Sequence, residues 1–410
     1  MFDPLSSAFA DNPYAIYKQL ALMDKPYYFA DHDMWLLSRY DDVSEIALHP
    51  NSVRSLVGIA TPTELAEQQR KANWHDMPYH QRFVQFSLLD SDGETHRRLR
   101  GQLFRSFTAK KLAGLEEAIQ GFVDQLIDRL QHKQKIDFVA DFAAHIPGYV
   151  IGLLLGTPPE DCTQLREWSE KIVQYFDVDR SNQRKQIAET ATQEFYQYLL
   201  DLKQQRIEKP ENDLISRMIE DQELGLYSDD EFISTCMLIL MAGHGSTIDV
   251  LSSGMHTLLK FPATIQRLRD DLSLLPNAIQ EMFRYESPLP FFHRHVLKEV
   301  QIRGHHFPAG TTFGLLYGAA NRDPLQFENP DQFNIDRTRN SHLAFGRGVH
   351  SCLGNHLARL NMKIIFTTLL DRFSDFELID EPHYKPGLSI RGPRSLNIAW
   401  ALNQRLLDNN

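Results

Sequence analysis

The chain has 410 residues, of which 42% are hydrophobic and 24% charged, as in an ordinary folded globular protein. Its net charge of -11 argues against general nucleic-acid binding, because a phosphate backbone is held by an excess of lysine and arginine. Cys162, Cys236 and Cys352 are too few and too scattered for a disulfide framework, which indicates a reducing compartment.

The first twenty residues lack the basic and then apolar pattern of a secretory leader. The strongest apolar runs, "GYVIGLLLG" and "CMLILMAG", are far shorter than a membrane span. We therefore expect a cytoplasmic protein without a membrane segment.

In chain order, "MWLLSRY" predicts an early strand, and helical periodicity then dominates from about Ala109 to Asp271. Apolar residues recur at three- and four-residue steps in "LAGLEEAIQGFVDQLIDRLQ" and in "TATQEFYQYLLDLKQQRIEK". The segment from Ser228 to Phe261 predicts one long helix, with Ser228 and Glu231 forming a capping box at its start. Because its middle is apolar on nearly every face, this helix should be buried at the centre of the fold.

Further strand signals occur late, in "VQIRGHHFPAGTTFGLLY" and "SIRGPRSLNIAW", where Gly and Pro punctuate β-prone residues. No internal repeat or flexible linker separates these regions. We expect a single, mainly α domain over residues 1–410 with a small β region. Its β-rich parts should lie near 25–60, 290–320 and 375–402, and its helical core at 95–285 and 352–372.

The last cysteine, Cys352, lies in the loop "HLAFGRGVHSCLGNHLAR". Four roles compete for it: inert core filler, catalytic nucleophile, zinc ligand with His350 and His356, or thiolate ligand of a haem iron. A nucleophile needs a base nearby, which sequence does not exclude. A zinc site needs four ligands, and the other cysteines are more than a hundred residues away.

The loop itself favours the haem ligand. Gly346, Gly348 and Gly354 allow the backbone to pass close to a flat, bulky group, and backbone N–H groups can point at the sulfur. The helix predicted after Gly354 would direct its positive N-terminal end toward a thiolate.

The run from Phe345 to Gly354, Phe-Gly-x-Gly-x-His-x-Cys-x-Gly, resembles the haem-thiolate signature of the cytochrome P450 superfamily at every defined position. The resemblance implies a mainly α fold, a helical prism with a small β-rich region. It also implies haem b (iron protoporphyrin IX) as cofactor, with Cys352 as the ligand of the metal and Phe345, Gly346 and Gly354 shaping the loop around it.

Other segments resemble family motifs in the expected order. In "EMFRYESP", Glu281 and Arg284 match a buried structural pair, for which a later loop supplies a third residue. Many members have arginine where Gln332 stands, and Arg337 is the nearby alternative. The resemblance also assigns four residues to the haem propionates, and these are His96, Arg100, Arg294 and His350.

The long helix contains "MAGHGSTIDV", in which Ala242 and Gly243 match the family's small residues beside haem and oxygen. The family's acidic position is Gly245, and the alcohol position that follows is Ser246, with Thr247 next. In the family, the acid and the alcohol at these two positions relay protons from solvent to the bound oxygen. Because Gly245 has no carboxylate, the relay in this chain must use water, His244, Asp249 or the substrate.

Three functions therefore remain in competition. The first, which we favour, is a monooxygenase that inserts one oxygen atom of O2 into an apolar small molecule. The second is an atypical member performing oxidative coupling, desaturation or peroxide-driven oxidation, because the usual acid is Gly245. The third is a non-catalytic haem-binding or sensing protein.

The stretch "DGETHRRLRGQLFRSFT" and the cysteine loop are basic in an otherwise acidic chain. The resemblance places both on the thiolate side of the haem, which predicts docking of a ferredoxin-type electron donor fed by a separate reductase from NAD(P)H. We expect no nucleic-acid or membrane partner, and a monomer.

By resemblance, the substrate side should be an apolar pocket. Its expected residues are Phe83, Phe86, Leu240, Phe291, Phe292 and Ile390. The sequence identifies neither the substrate nor whether it is free or attached to a carrier protein.

Overall fold

The computed structural model describes residues 2–403. Helices make up most of this part of the chain, and strands are short and gathered in three small sheets. The helices are α1 Ser7–Asp11, α2 Tyr14–Leu22, α3 Tyr40–Leu48, α4 Pro62–Lys71, α5 Pro78–Phe86, α6 Gly93–Phe104, α7 Ala109–Leu112, α8 Glu116–Leu130, α9 Ile146–Leu155, α10 Cys162–Val173, α11 Asn182–Glu208, α12 Leu214–Glu223, α13 Asp229–Lys260, α14 Pro262–Asp270, α15 Leu275–Tyr285, α16 Tyr317–Ala320 and α17 Asn355–Arg372. The strands are β1 Tyr27–Phe29, β2 Met34–Leu37, β3 Ser52–Val53, β4 Lys135–Asp137, β5 Phe291–Val296, β6 Val300–Ile302, β7 His305–Phe307, β8 Thr312–Leu316, β9 Phe373–Leu378 and β10 Asn397–Leu402.

The central helix α13 organises the helical part. The predicted capping box is confirmed, since Ser228 accepts from the Glu231 N–H and the Glu231 carboxylate accepts from the Ser228 N–H. Most of α13 is buried, and it packs against α5, α9, α10 and α15. This helix therefore presents a fixed wall to whatever lies beside it.

The largest sheet has the strand order β1-β2-β8-β5-β3, with β2 parallel to β8 and the other pairs antiparallel. At its centre, a Cβ on Gly314 would lie 2.6 Å from Leu36 Cδ2 and 2.8 Å from Phe291 Cε2, so only glycine fits there. This sheet carries β5 and Arg294 to the edge of the site described below.

The strands agree with the predicted β-rich regions, with one exception. β4, at Lys135–Asp137, lies inside the region predicted as helical and pairs antiparallel with β10. A three-residue strand that pairs with a partner more than 250 residues later has no local periodicity to mark it.

Two helical stretches, Phe138–Leu155 and Asp229–Lys260, are long and apolar enough to cross a membrane by length and composition alone. Within their most apolar windows, 61% and 72% of residues are buried inside the protein. Their apolar character is accounted for by packing in the core.

Candidate active site

A cavity of about 250 Å³ lies between α13 and the loop that carries Cys352. Its wall brings together all the residues predicted for the cofactor and for the oxygen site. These are His96, Arg100, Ala242, Gly243, Ser246, Thr247, Arg294, Phe345, Gly346, His350, Cys352 and Gly354.

The cysteine loop turns sharply at two glycines, Gly346 with φ 66° and Gly348 with φ 77°. A Cβ on Gly348 would also lie 3.0 Å from the Ala47 carbonyl oxygen, so the loop packs tightly on α3. The Cys352 N–H donates to the Phe345 carbonyl at 2.7 Å. These constraints fix the direction of the Cys352 side chain.

Cys352 lines the cavity, which makes the residue accessible although protein surrounds the thiol on its other sides. Burial raises the pKa of this thiol, whereas the Gly354 N–H and the cations Arg100 and Arg359 lower it. A bound metal ion would replace the proton and leave a thiolate surrounded by groups that stabilise negative charge.

Opposite the loop, α13 presents Ser246, whose hydroxyl donates to the Ala242 carbonyl at 2.9 Å. A Cβ on Gly245 would have no heavy atom within 4 Å, so open space lies beside this residue. At Gly243, by contrast, a Cβ would lie 2.4 Å from Ile151 Cδ1. Gly243 thus admits a side chain of α9 against the helix, in addition to lining the cavity.

One edge of the cavity is cationic. Arg294 is buried and donates to the His293 carbonyl at 2.9 Å, and burial together with the neighbouring Arg54 lowers its pKa to about 10. The ring centroids of His96 and His350 lie 4.3 Å apart. A buried cation beside a second cation favours an anionic ligand at this edge.

Arg100 and His350, at the same edge, both bind other parts of the protein. Arg100 Nη2 donates to the Ser351 carbonyl at 2.7 Å, which ties α6 to the cysteine loop. His350 Nε2 and the Asp92 carboxylate lie 2.8 Å apart, so a protein carboxylate already occupies that nitrogen.

Of the six residues predicted for the substrate side, Phe292 lines the cavity and the other five do not. Alternate side chains of a strand point to opposite faces, so Phe291 instead packs with the N-terminal segment. Phe83 and Leu240 are fully buried in the helical core. Phe86 and Ile390 also lie off the cavity wall.

The cavity wall includes residues that the sequence did not single out. Arg54 and Tyr317 are buried beside Arg294, and neither stands in a recognisable local motif. Apolar side chains complete the wall, and these include Leu88, Leu89, Leu238, Ile239, Val250, Leu289 and Leu357.

The predicted pair beneath the site is formed. Arg284 donates to both Glu281 oxygens at 2.7 Å, and both side chains have zero exposure. Arg337 Nε lies 3.2 Å from Glu281 Oε2, whereas Gln332 supplies only its backbone carbonyl, to Arg284. Arg337 therefore occupies the place of the third partner.

Replacing Arg337 by alanine should destabilise the protein by about 1.5–3 kcal/mol, because the buried Glu281 carboxylate loses a charged donor. The measurement is urea unfolding of the purified holoprotein. The matched variant Gln332→Ala removes an exposed side chain and should have almost no effect. Equal losses in the two variants would show that Arg337 is not the third partner.

The fold and the cavity define a mainly helical protein in which a long central helix faces a cysteine-bearing loop across an apolar cavity. The cytochrome P450 family model matches residues 30–386. The biotin biosynthesis cytochrome P450 of Bacillus subtilis (strain 168) is 33% identical over 398 residues, which cover 96% of this chain and 98% of that protein. The polyketide biosynthesis cytochrome P450 PksS of the same strain is 31% identical, covering 97% of this chain and 98% of that one.

Solved structures agree with this result. P450BioI in complex with acyl carrier protein ligated to hexadec-9Z-enoic acid has a TM-score of 0.89 at 30% identity, covering 96% of this chain and all of that one. The myxobacterial CYP267B1 in complex with myristic acid has a TM-score of 0.89 at 32% identity, with 97% and 98% covered. The chain belongs to the cytochrome P450 family. It is a P450 monooxygenase that carries haem b, and its fold is the one that the sequence predicted.

Proposed function

We propose that Cys352 would ligate the haem iron and that Arg100, Arg294, His96 and His350 would hold the propionate edge, with His350 offering the ring nitrogen that Asp92 does not occupy. The observation that carries this proposal is one cavity lined by Cys352 on one wall and by Ser246 on the other. The cationic edge supports it, since the haem carboxylates would compensate the buried charge of Arg294. When bound, the haem supplies reductive activation of O2, favoured by its thiolate ligand.

The residues of α13 shape the side where O2 and substrate meet. The Ser246 hydroxyl is held by the Ala242 carbonyl, and its oxygen can still accept a proton from water and pass its own proton on. Thr247 lines the same wall one residue further on. Ala242 and Gly243 also line this wall, and because their side chains are small or absent, a flat group can approach the helix backbone.

For the substrate, we propose a long apolar acyl or polyketide-like molecule. Leu88, Leu238, Ile239, Val250 and Phe292 give the cavity apolar walls, which favour hydrocarbon over charged groups. Similar proteins are described with myristic acid and with a carrier-bound hexadecenoic acid, and another relative acts in polyketide biosynthesis. The reaction proposed is hydroxylation of such a molecule in the cytoplasm.

The test is the carbon monoxide difference spectrum of the reduced protein, followed by titration of the ferric form with myristic acid, palmitoleic acid and testosterone. We expect a strongly red-shifted Soret band, and a shift to high spin with at least one fatty acid. Mass spectrometry should then find a product one oxygen atom heavier when ferredoxin, reductase and NAD(P)H are supplied. Product formed only with hydrogen peroxide would favour peroxide-driven oxidation, and an unshifted band would favour the non-catalytic function.

We further propose that a ferredoxin docks on the surface around the cysteine loop. Phe104 and Val349 are 57% and 68% exposed there, and the Arg100–Ser351 contact joins their two segments. Of the basic residues predicted for this surface, Arg98 is paired with Glu231 and Arg359 binds Gln280 and Asn355. The exposed cations that remain are Arg97, Arg105 and Arg347, and the following helix α7 adds exposed Lys110 and Lys111.

Reversing two of these charges, in Arg105→Glu/Lys110→Glu, should raise the KM for ferredoxin about tenfold, because electrostatic complementarity governs encounter. The kcat at saturating ferredoxin should stay near that of the wild type. The matched control Arg70→Glu/Lys71→Glu makes the same change of charge on α4. The measurement is the KM for ferredoxin, from steady-state kinetics at two salt concentrations. Equal KM values in the two double variants would show that ferredoxin docks on another surface.

A further inference from the structure

We propose that Asp249, paired with Lys385, is the relay acid that delivers protons to Ser246, in place of the acid missing at Gly245. This inference rests on the proposed oxygenation reaction and adds a residue that the reaction requires. Asp249 does not line the cavity, so it contacts neither the substrate nor O2. It acts indirectly, by passing protons through water to Ser246.

The position of Asp249 on α13 supports this role. It follows Ser246 by three residues and Gly245 by four, so the three positions share one helix face. Helical side chains lean toward the N-terminal end, so the Asp249 carboxylate lies over the turn that contains Gly245 and Ser246. The open space beside Gly245 leaves room for water on this face of the helix.

Asp249 also has a connection to solvent. Its side chain is fully buried, and Oδ1 lies 2.6 Å from Lys385 Nζ, on a side chain that is 37% exposed. The Lys385 side chain thus contacts the buried carboxylate and is partly open to solvent. Lys385 can therefore be recharged from solvent after it gives up a proton.

The second carboxylate oxygen, Oδ2, has no hydrogen-bond partner among the described residues. A buried carboxylate oxygen without a donor is costly in a purely structural ion pair, which normally satisfies both oxygens. Burial raises the pKa of Asp249, Lys385 lowers it and Glu170 raises it, with a net rise. A raised pKa suits a group that must carry a proton.

The loop opposite α13 is shaped around this carboxylate. A Cβ on Gly392 would lie 2.1 Å from Asp249 Oδ1, so any other residue would displace the acid. The Lys385 N–H donates to the Gly392 carbonyl at 3.0 Å, which closes the loop and brings Lys385 next to Gly392. Gly392 thus contacts both members of the pair, the Asp249 carboxylate and the Lys385 backbone.

Oxygenation consumes a substrate C–H bond, O2, two electrons from ferredoxin and two protons, and yields an alcohol and water. Asp249 passes a proton through water to the Ser246 hydroxyl and takes one from Lys385, which regains it from solvent. When protons arrive too slowly, O2 leaves as hydrogen peroxide after taking up the same electrons and protons, and the substrate stays unchanged.

The experiment compares Asp249→Asn with the wild type, using myristic acid as the probe. Oxygenated product per NAD(P)H should fall about 100-fold in the variant, the lower end of the range expected for loss of a general acid, and hydrogen peroxide should rise in its place. The carbon monoxide band and the spin shift with myristic acid should be unchanged. Gly245→Glu should restore product formation in the Asp249→Asn background, and should change little in the wild type.

Asp213→Asn is the matched control, since it neutralises the carboxylate of another buried pair, with Arg206. It should lower stability without changing the ratio of product to peroxide. If Asp249→Asn behaves like this control, Asp249 is structural and the inference fails while the proposed function stands. If the wild type lacks the shifted band or forms no product, the proposed function fails and the inference falls with it.

A second readout is independent of turnover. Since the pKa of Asp249 is raised above its ordinary value of 3.8, there is a pH range above 3.8 in which the folded protein holds this proton and the unfolded chain has lost it. Stability from this group is complete below that ordinary value and is lost as pH rises through the raised pKa. Urea unfolding of the holoprotein at a series of pH values above 3.8 should show that stability falls more with rising pH in the wild type than in Asp249→Asn. An identical pH dependence in both proteins would overturn the inference.

Discussion

Replacing Cys352 by serine should abolish the strongly red-shifted Soret band of the reduced carbon monoxide complex and reduce oxygenation below detection. A serine hydroxyl cannot supply the polarizable negative charge with which a thiolate favours cleavage of the O–O bond. The loop that positions the side chain should persist, because its backbone contact from Cys352 to Phe345 does not involve the sulfur. The spectrum and product analysis with myristic acid provide the measurement.

Cys162→Ser is the matched control for this result. Cys162 is a half-buried cysteine at the start of α10 and does not line the cavity. Its serine variant should retain the shifted band and product formation. A shifted band in Cys352→Ser would contradict the assignment of the ligand, as would its loss in Cys162→Ser alone.

The sequence predicted those parts of the protein that depend on neighbours along the chain. The long helix and its capping box follow from periodicity and from a hydroxyl and a carboxylate three residues apart, and both are confirmed at Ser228 and Glu231. The glycines around Cys352 have positive φ at Gly346 and Gly348, as a sharply turning loop requires. In each case the signal and the structure span the same few residues.

Features that depend on distant residues could not be predicted in the same way. His350 binds Asp92 across 258 positions, and Asp249 binds Lys385 across 136. Neither pair leaves a periodic trace, because each arises only when separate elements pack together. The residues that line the cavity depend on the fold in a related way, since the pleat of β5 turns Phe292 and not Phe291 toward the cavity.

The buried Glu281–Arg284 pair gives the largest expected effect on stability. Glu281→Ala should cost about 3–5 kcal/mol, because Arg284 is left buried without its bidentate carboxylate and Arg337 loses the same partner. Urea unfolding of the holoprotein measures this cost. The variant should also lose part of its shifted carbon monoxide band, since Phe283 on the same helix packs on Phe345 of the cysteine loop at 4.5 Å between ring centroids.

Asp336→Ala makes a matched comparison, because Asp336 forms a bidentate pair with Arg267 in which both side chains are about half exposed. Water already solvates these charges, so removing one should cost less than about 1 kcal/mol and leave the spectrum intact. The same contact geometry thus has different consequences in the two places, because only the buried arginine has no water to replace its lost partner. Equal losses in Glu281→Ala and Asp336→Ala would show instead that the other groups around Arg284 suffice to hold α15 under the cysteine loop.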